Sequence, residues 1–449
     1  MSRPAPERSP GTTETALLVA ADTYNGRRLW KAEDSLHELA QLAGTAGIEV
    51  EARIIQRLPR ANPVTYVGRG KLEEFRRECS LNPRLGSIIF DDELSPGQQR
   101  NIEQALGEQI RVLDRTALIL DIFAQHAHTR EGQIQVELAQ YEYLQPRLTG
   151  MWRHLVRQAG GRAAGAVGVG LRGPGETQLE TDRRQIRRRI SDLRRELEDV
   201  RAVRRQHYRR RKRKSLQTIA LVGYTNVGKS SLLNALTDPG ARGGNGHAAS
   251  DPPKALVADQ LFATLDPTVR KVRLPAGTMV LFADTVGFIK KLPHHLIAAF
   301  RATLEGISEA DLLLHVADIT HPKVEAQITA VQSILSELGV ADKPTLQVWN
   351  KIDAVPRWMT ASCSAGVLRV SARNGTGIAE LLEAVEGVLQ RQLISVEVTI
   401  PYSEGALRSR IFSQGSVQWF KEDATGTHMY ACVPPDLADS LRSYRTHDQ

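Results

Sequence analysis

The chain has 449 residues, 41% apolar and 24% charged, so it is globular rather than disordered and long enough for about two to four domains. No apolar run approaches the ~18 residues of a membrane span. The stretch 16–21 is too short for a secretory leader. Cys79, Cys363 and Cys432 are few, odd in number and far apart, which excludes a disulfide framework or zinc finger and fits a reducing cytoplasm. The net charge of +8 is uneven: residues 183–214 hold sixteen Lys and Arg against four Asp and Glu, and the rest of the chain sums to −4.

Residues 1–14, rich in Pro, Ser and Thr, read as a disordered tail. Residues 15–130 alternate strand and helix. The strands are expected at 16–20, 49–55, 85–90 and 110–113, and the helices around Leu36, Leu39 and Leu42, over 71–79, and over 96–106 with Ser95 as cap. That order predicts a small parallel α/β domain. Gly68-Arg69-Gly70-Lys71 lacks the spacing of a phosphate loop and reads as a strand-to-helix turn. His126 and His128 have no carboxylate or Cys spacing to support a metal.

Residues 131–214 predict an antiparallel helical hairpin. Its first helix starts near Ile134, with Pro146 forcing a kink or stop. Its second carries Ile186, Ile190, Leu193, Leu197 and Val200 at heptad-like spacing. Between them lies a Gly-rich tip, 159–175. The basic run 183–214 sits on the second helix. It fits an RNA-binding arm better than a merely solvated face, since Lys and Arg neutralise phosphates without regard to sequence. Trp152, near the tip, could stack on RNA or pack a core.

Residues 215–393 predict a Ras-like, doubly wound domain with strands at 218–223, 279–284, 311–317, 345–350 and 367–371. Residues 394–449 read as a small α+β domain with strands at 396–400 and 429–433.

Gly223-Tyr224-Thr225-Asn226-Val227-Gly228-Lys229-Ser230 follows a strand and opens a helix, the context of a phosphate-binding loop, and Ser231 completes its first turn. Lys229 would neutralise β/γ-phosphates, and Ser230 would ligate Mg2+. Asp284-Thr285-Val286-Gly287 ends the next strand, where Asp284 would hold Mg2+ through water and the Gly287 N–H would sense a γ-phosphate. Asn350-Lys351-Ile352-Asp353 ends a later one. The Asp353 carboxylate accepts from guanine N1–H and N2 but finds no donor on adenine. Ser371-Ala372-Arg373 follows the last strand, with the Ala372 N–H placed for guanine O6. Four motifs in order at strand ends imply a GTPase acting on GTP. Between them, Phe262-Ala263-Thr264-Leu265-Asp266 is the candidate γ-phosphate switch. Thr264 is the preferred second Mg2+ ligand, and Thr268 the alternative. Gly287 is followed by Phe288, which cannot orient water, so slow turnover awaiting a partner is expected. Asn226 is a candidate ligand for K+ or a loop-stabilising amide. The run 238–254 reads as a flexible insertion.

The motifs GYTNVGKSS, DQLFATLDPT, DTVGFI and NKID, with Val67-Gly68-Arg69-Gly70-Lys71, Asp114-Arg115-Thr116, Gln135-Val136-Glu137-Leu138-Ala139 and RGPGETQLETDRR at 172–184, resemble the HflX family of translation-factor-related GTPases over nearly the whole chain. The resemblance implies a cytoplasmic monomer, with peripheral membrane association left open. It implies binding to the large ribosomal subunit and its rRNA, and splitting of idle or stalled ribosomes under stress, heat shock included. It also carries the tip, 152–177, toward the peptidyl-transferase region. The alternative is an rRNA-binding assembly factor gated by GTP without splitting. The sequence departs from the family in the length of 238–254 and in SAR at 371–373.

Overall fold

The computed structural model describes residues 15–23, 31–107, 109–148, 178–213, 216–237, 261–262, 267–291, 306–356, 366–391 and 393–446. The expected tail, hairpin tip, insertion and Ala263–Asp266 lie outside them. The chain divides into two compact units. One comprises residues 1–200 with 258–266 and 289–302. The other holds the remainder.

In the first unit, strands β1 (Thr15–Thr23), β2 (Glu49–Leu58), β3 (Leu85–Phe90) and β4 (Arg111–Asp114) form a sheet in the order β2-β1-β3-β4, with every pair parallel. The apolar run of β1 is buried throughout because helices cover both faces of the sheet. Leu17, Val19, Phe75, Ile88, Phe90 and Ile102 make one side of this core. Helix α1 (Ala32–Thr45) places Leu36, Leu39 and Leu42 inward at the expected spacing. Helix α2 (Arg69–Leu81) starts on Gly68, so the Gly-Arg-Gly-Lys stretch is a helix entry. Ser95 and Gln98 form a capping box at the start of α3 (Pro96–Leu106).

Buried charges tie this unit together. Arg115, 1% exposed at the start of α4 (Arg115–His126), pairs with Glu38 and lies 2.8 Å from Asp91. Ser35 donates to Asp91 at 2.7 Å, and Lys291 pairs with both Asp91 and Asp92. Burial alone would raise the Asp91 carboxyl, but Arg115 and Lys291 beside it hold it below the usual range. Asp114 caps α4 through the Ala117 N–H at 2.8 Å. It also accepts from the Leu94 N–H at 3.0 Å and the Tyr143 hydroxyl at 2.9 Å.

Helix α5 (Arg130–Leu144) ends where Pro146 enters a 3-10 turn, Gln145–Arg147. Helix α6 (Gln178–Arg213) packs the predicted seam, Ile186, Ile190, Leu193, Leu197 and Val200, on Ile134, Leu138 and Tyr141. Three of the arm's arginine pairings are internal: Arg189–Glu137 at 2.7 Å, Arg194–Glu142 at 2.7 Å and Arg130–Glu196 at 2.5 Å. Val203, one turn past the seam, is exposed.

The second unit contains a six-stranded sheet in the order β10-β9-β8-β5-β7-β6. Strands β5 (Thr218–Gly223), β7 (Met279–Asp284), β8 (Leu312–Asp318) and β9 (Thr345–Asn350) fall where the sequence predicts them. Strand β10 is only Leu368–Arg369, shorter than expected, because two residues pair with β9. Strand β6 (Thr268–Arg273), the edge, was not anticipated and runs antiparallel to β7. The C-terminal segment is a three-stranded antiparallel sheet, β11 (Ile394–Ile400), β13 (Thr427–Val433) and β12 (Ser416–Glu422), with β13 central. Val396, Val398, Met429 and Ala431 form its core with Ile411 and Leu437. Among the described residues no helix is long and apolar enough to cross a membrane.

Candidate functional site

The candidate site is assembled at the carboxyl ends of β5, β7, β8 and β9, where a doubly wound sheet opens its crevice. Strand β5 is anchored by the fully buried Ile219, Ala220, Leu221 and Val222, so the loop 223–228 leaves the sheet from a rigid base. It enters helix α7 (Lys229–Thr237). Gly228 has φ +88°, and a Cβ there would lie 2.4 Å from Asn350 Nδ2, so only glycine fits.

Lys229 is buried beneath the loop and donates to the Tyr224 carbonyl at 2.7 Å and to that of Gly223 at 3.3 Å. Burial pushes its ammonium down to about 8, and Asp284 acts against that shift. A buried cation beneath a loop of backbone N–H groups is a site that gains from an anion. His315, buried on β8, is pushed down to about 4 by burial and by Lys229, so it stays neutral. The sequence reading missed it, because a lone histidine in an apolar strand carries no spacing signal.

The Ser230 hydroxyl donates to Asp284 Oδ2 at 2.5 Å, which brings two hard oxygen ligands together. Thr285 donates to the Leu221 carbonyl at 2.6 Å and fixes the end of β7 against β5. Val286 and Gly287 follow. A Cβ on Gly287 would meet Thr225 Cα at 2.8 Å and Lys229 Nζ at 3.0 Å, so this glycine lies directly on the phosphate loop. Phe288 is buried, as its side chain requires. Its N–H donates to the Gly223 carbonyl at 3.0 Å, and its carbonyl accepts from the Thr225 N–H at 2.8 Å. The loop and the segment after Gly287 are thereby zipped backbone to backbone.

Asn350 joins three motifs. Its Nδ2 donates to the Val227 carbonyl at 2.9 Å, and its Oδ1 accepts from the Ala372 N–H at 3.0 Å. The Ala372 N–H assigned to guanine O6 is therefore directed at Asn350 in this structure. Asp353 is held by the Ser371 hydroxyl, 2.6 Å from its Oδ1, beside the 3-10 turn Ile352–Ala354. It is exposed. Arg373 is exposed as well. Lys351, at φ +64°, donates to the Asn226 carbonyl at 3.0 Å and pairs with Asp318 at 2.7 Å. Asp318 was not anticipated, although an acid directly after a predicted apolar strand was visible in the sequence; the pairing of β8 with β9 sets it opposite Asn350.

Of the expected γ-phosphate switch, only Phe262 falls within the described residues. Phe262, at φ +59°, belongs to the first unit and lies edge-on to Phe123 with ring centroids 4.6 Å apart. Ala263, Thr264, Leu265 and Asp266 lie outside the described residues. The alternative threonine, Thr268, opens β6 opposite Asp284 in register.

Known proteins match along the same divisions. Residues 33–124 match the model of the GTP-binding GTPase N-terminal family, 126–211 the GTP-binding GTPase middle region, and 218–351 the 50S ribosome-binding GTPase family. GTPase HflX of Lacrimispora saccharolytica is 43% identical over 430 residues, covering 95% of each chain. GTPase HflX of Caldanaerobacter subterraneus is 42% identical over 431 residues, 96% of this chain and 94% of that one. GTPase HflX of Escherichia coli is 41% identical over 399 residues, 87% and 88%. Among solved structures, a GTP-binding protein of Sulfolobus solfataricus in complex with GDP is similar at a TM-score of 0.40 and 23% identity, over 84% of this chain and 99% of that one.

Proposed function

This chain belongs to the HflX family of GTPases, and on that premise we propose that it hydrolyses GTP on the large ribosomal subunit and thereby splits idle or stalled ribosomes, under stress in particular. The observation that carries the nucleotide half is the convergence of Lys229, Ser230, Asp284, Gly287 and Asn350 on one loop. Lys229 and the loop's N–H groups bind the phosphates, and Gly287 senses the γ-phosphate by displacing the Phe288 zipper. Asp353, Ser371 and Ala372 read guanine, with Lys351 as a wall of the base site. Ser230 and Asp284 suit Mg2+, Asp284 through water, and Thr264 completes the set. When bound, that ion would neutralise charge developing on the phosphates. The Asn226 side chain is the candidate K+ ligand, tested by replacing K+ with Na+ in the hydrolysis assay.

The ribosome half rests on charge. Arg189, Arg194 and Arg130 are engaged by glutamates, and residues 201–214, beyond the packed seam, hold nine Lys and Arg with no Asp or Glu. That segment meets rRNA phosphates, and the tip reaches the peptidyl-transferase region. Reversing several arginines of 204–213 to Glu should weaken ribosome binding and flatten its salt dependence. An unchanged salt slope would remove the arm from the interface. Sedimentation of intact ribosomes with the protein and a non-hydrolysable GTP analogue tests the splitting itself. Free subunits are expected. Unsplit ribosomes carrying bound protein would make the chain a GTP-gated assembly factor instead.

A further inference from the structure

We propose that Asp318 is a positioning residue for guanine-nucleotide binding: it holds Lys351 as a fixed bridge between the strand end that reads the base and the loop that binds the phosphates.

Asp318 is the last residue of β8 and stands opposite Asn350 in the parallel register of β8 and β9. Its side chain is 12% exposed, and its two oxygens have separate tasks. Oδ1 accepts from the Thr320 N–H at 2.9 Å and the Thr320 hydroxyl at 2.6 Å, a local turn that fixes the carboxylate plane. Oδ2 is left facing Lys351 Nζ at 2.7 Å. The Ile319 N–H donates to the Asn350 carbonyl at 3.2 Å, so the two strand ends cannot slide past each other.

Lys351 needs such a guide. It sits in the left-handed region, φ +64° and ψ 33°, which turns its side chain off the line of β9. Its ammonium reaches the Asn226 carbonyl at 3.0 Å, and Asn226 is itself left-handed at φ +59°. A half-exposed lysine with four rotatable bonds would otherwise sample many rotamers, and ordering it on binding costs free energy. Asp318, pre-ordered by Thr320, removes most of that cost. The bridge then fixes the spacing between the phosphate loop and the base-reading loop before nucleotide arrives.

The inference rests on the guanine-nucleotide reading of this site. Asp318→Asn isolates the charge, because the amide oxygen can still accept from Thr320. In the full-length chain, the affinity for a fluorescent GDP should fall about three- to tenfold. KM for GTP should rise with it, while kcat and the thermal unfolding midpoint stay unchanged. Lys351→Met should produce a similar loss, and the double variant no more than the larger single one, since both remove one bridge. Asp318→Glu, which keeps the charge, should recover part of the affinity. GDP binding by Asp318→Asn equal to the parent's, or losses that add in the double variant, would overturn the proposal. If Asp318→Asn failed to fold, Lys351→Met reads the bridge from its exposed end, and parental affinity there would overturn it too. Absence of GDP binding by the parent chain would instead overturn the nucleotide reading itself.

Discussion

Two parallel sheets in this chain use one architecture for opposite chemistry. At the carboxyl ends of the first, residues 15–114, stand carboxylates: Asp91, Asp92 and Asp114, taken up by Arg115, Lys291 and Arg147. At the carboxyl ends of the second, residues 218–369, stand a cradle of backbone N–H groups over the buried Lys229. The first set is paired with cations of its own unit. The second is a cation waiting for a ligand. Which sheet binds nucleotide is decided by the residues at the strand ends and not by the fold.

The contrast breaks most visibly at Lys229. Lys229→Ala should lower single-turnover GTP hydrolysis by about a thousandfold or more, some 4 kcal/mol of phosphate stabilisation. Retained turnover would mean that the loop is not the site. In the first sheet, the matching change should cost stability instead. Arg115→Met takes the guanidinium away from the buried Glu38 and Asp91, a loss on the order of 3–5 kcal/mol. Urea unfolding of the first unit should reveal it, while GDP affinity changes less than about twofold. A large loss of GDP binding in the folded variant would erase the distinction.

Base selection gives a smaller effect. Asp353→Asn should weaken GTP by about a hundredfold, because a carboxylate accepting two N–H groups is replaced by an amide that accepts one. Xanthine, with an oxygen where guanine has its amino group, should lose less. Competition binding with both nucleotides distinguishes this from a general collapse of the loop.

Protonation of Lys229 sets the smallest effect. Its pKa in the free protein is pushed down to about 8, and bound phosphates should raise it, so binding takes up a proton once the free lysine has lost its own. Affinity should be flat below pH 7 and fall by about tenfold per pH unit well above 8. Titrations of GDP from pH 6.5 to 9.5 measure this, and a flat profile would remove Lys229 from the phosphates.

Much of this was legible in sequence where burial is one-sided or complete. Strands β1, β5, β7 and β8 are largely apolar, buried runs, and α1 and α6 carry clear helical spacing. Edge strands β6 and β12 were not legible, because Thr-Val-Arg-Lys-Val-Arg fully buries only Val272 and Ser-Val-Gln-Trp-Phe-Lys-Glu is exposed at every position but Val417. Motif spacing located the phosphate loop and Asn350, since glycines and lysine there answer to backbone geometry. It could not reveal that Asp353 is exposed, that Ala372 donates to Asn350, or that Arg115 pairs with Glu38, 77 residues away. Those depend on long-range packing. The Asp114-Arg115-Thr116 mark that supports the family resemblance turns out to hold a helix cap and a buried ion cluster rather than ligand-binding groups.

Buried Phe288 stands where a water-positioning side chain would serve, so slow turnover by the chain alone and completion of the site by the ribosome are the expected behaviour. Phosphate release from GTP, measured under single-turnover conditions with and without purified large ribosomal subunits, tests this most directly. A slow rate alone, accelerated at least tenfold by the subunits and lost in Lys229→Ala, is the predicted result. Equal rates with and without subunits would contradict it.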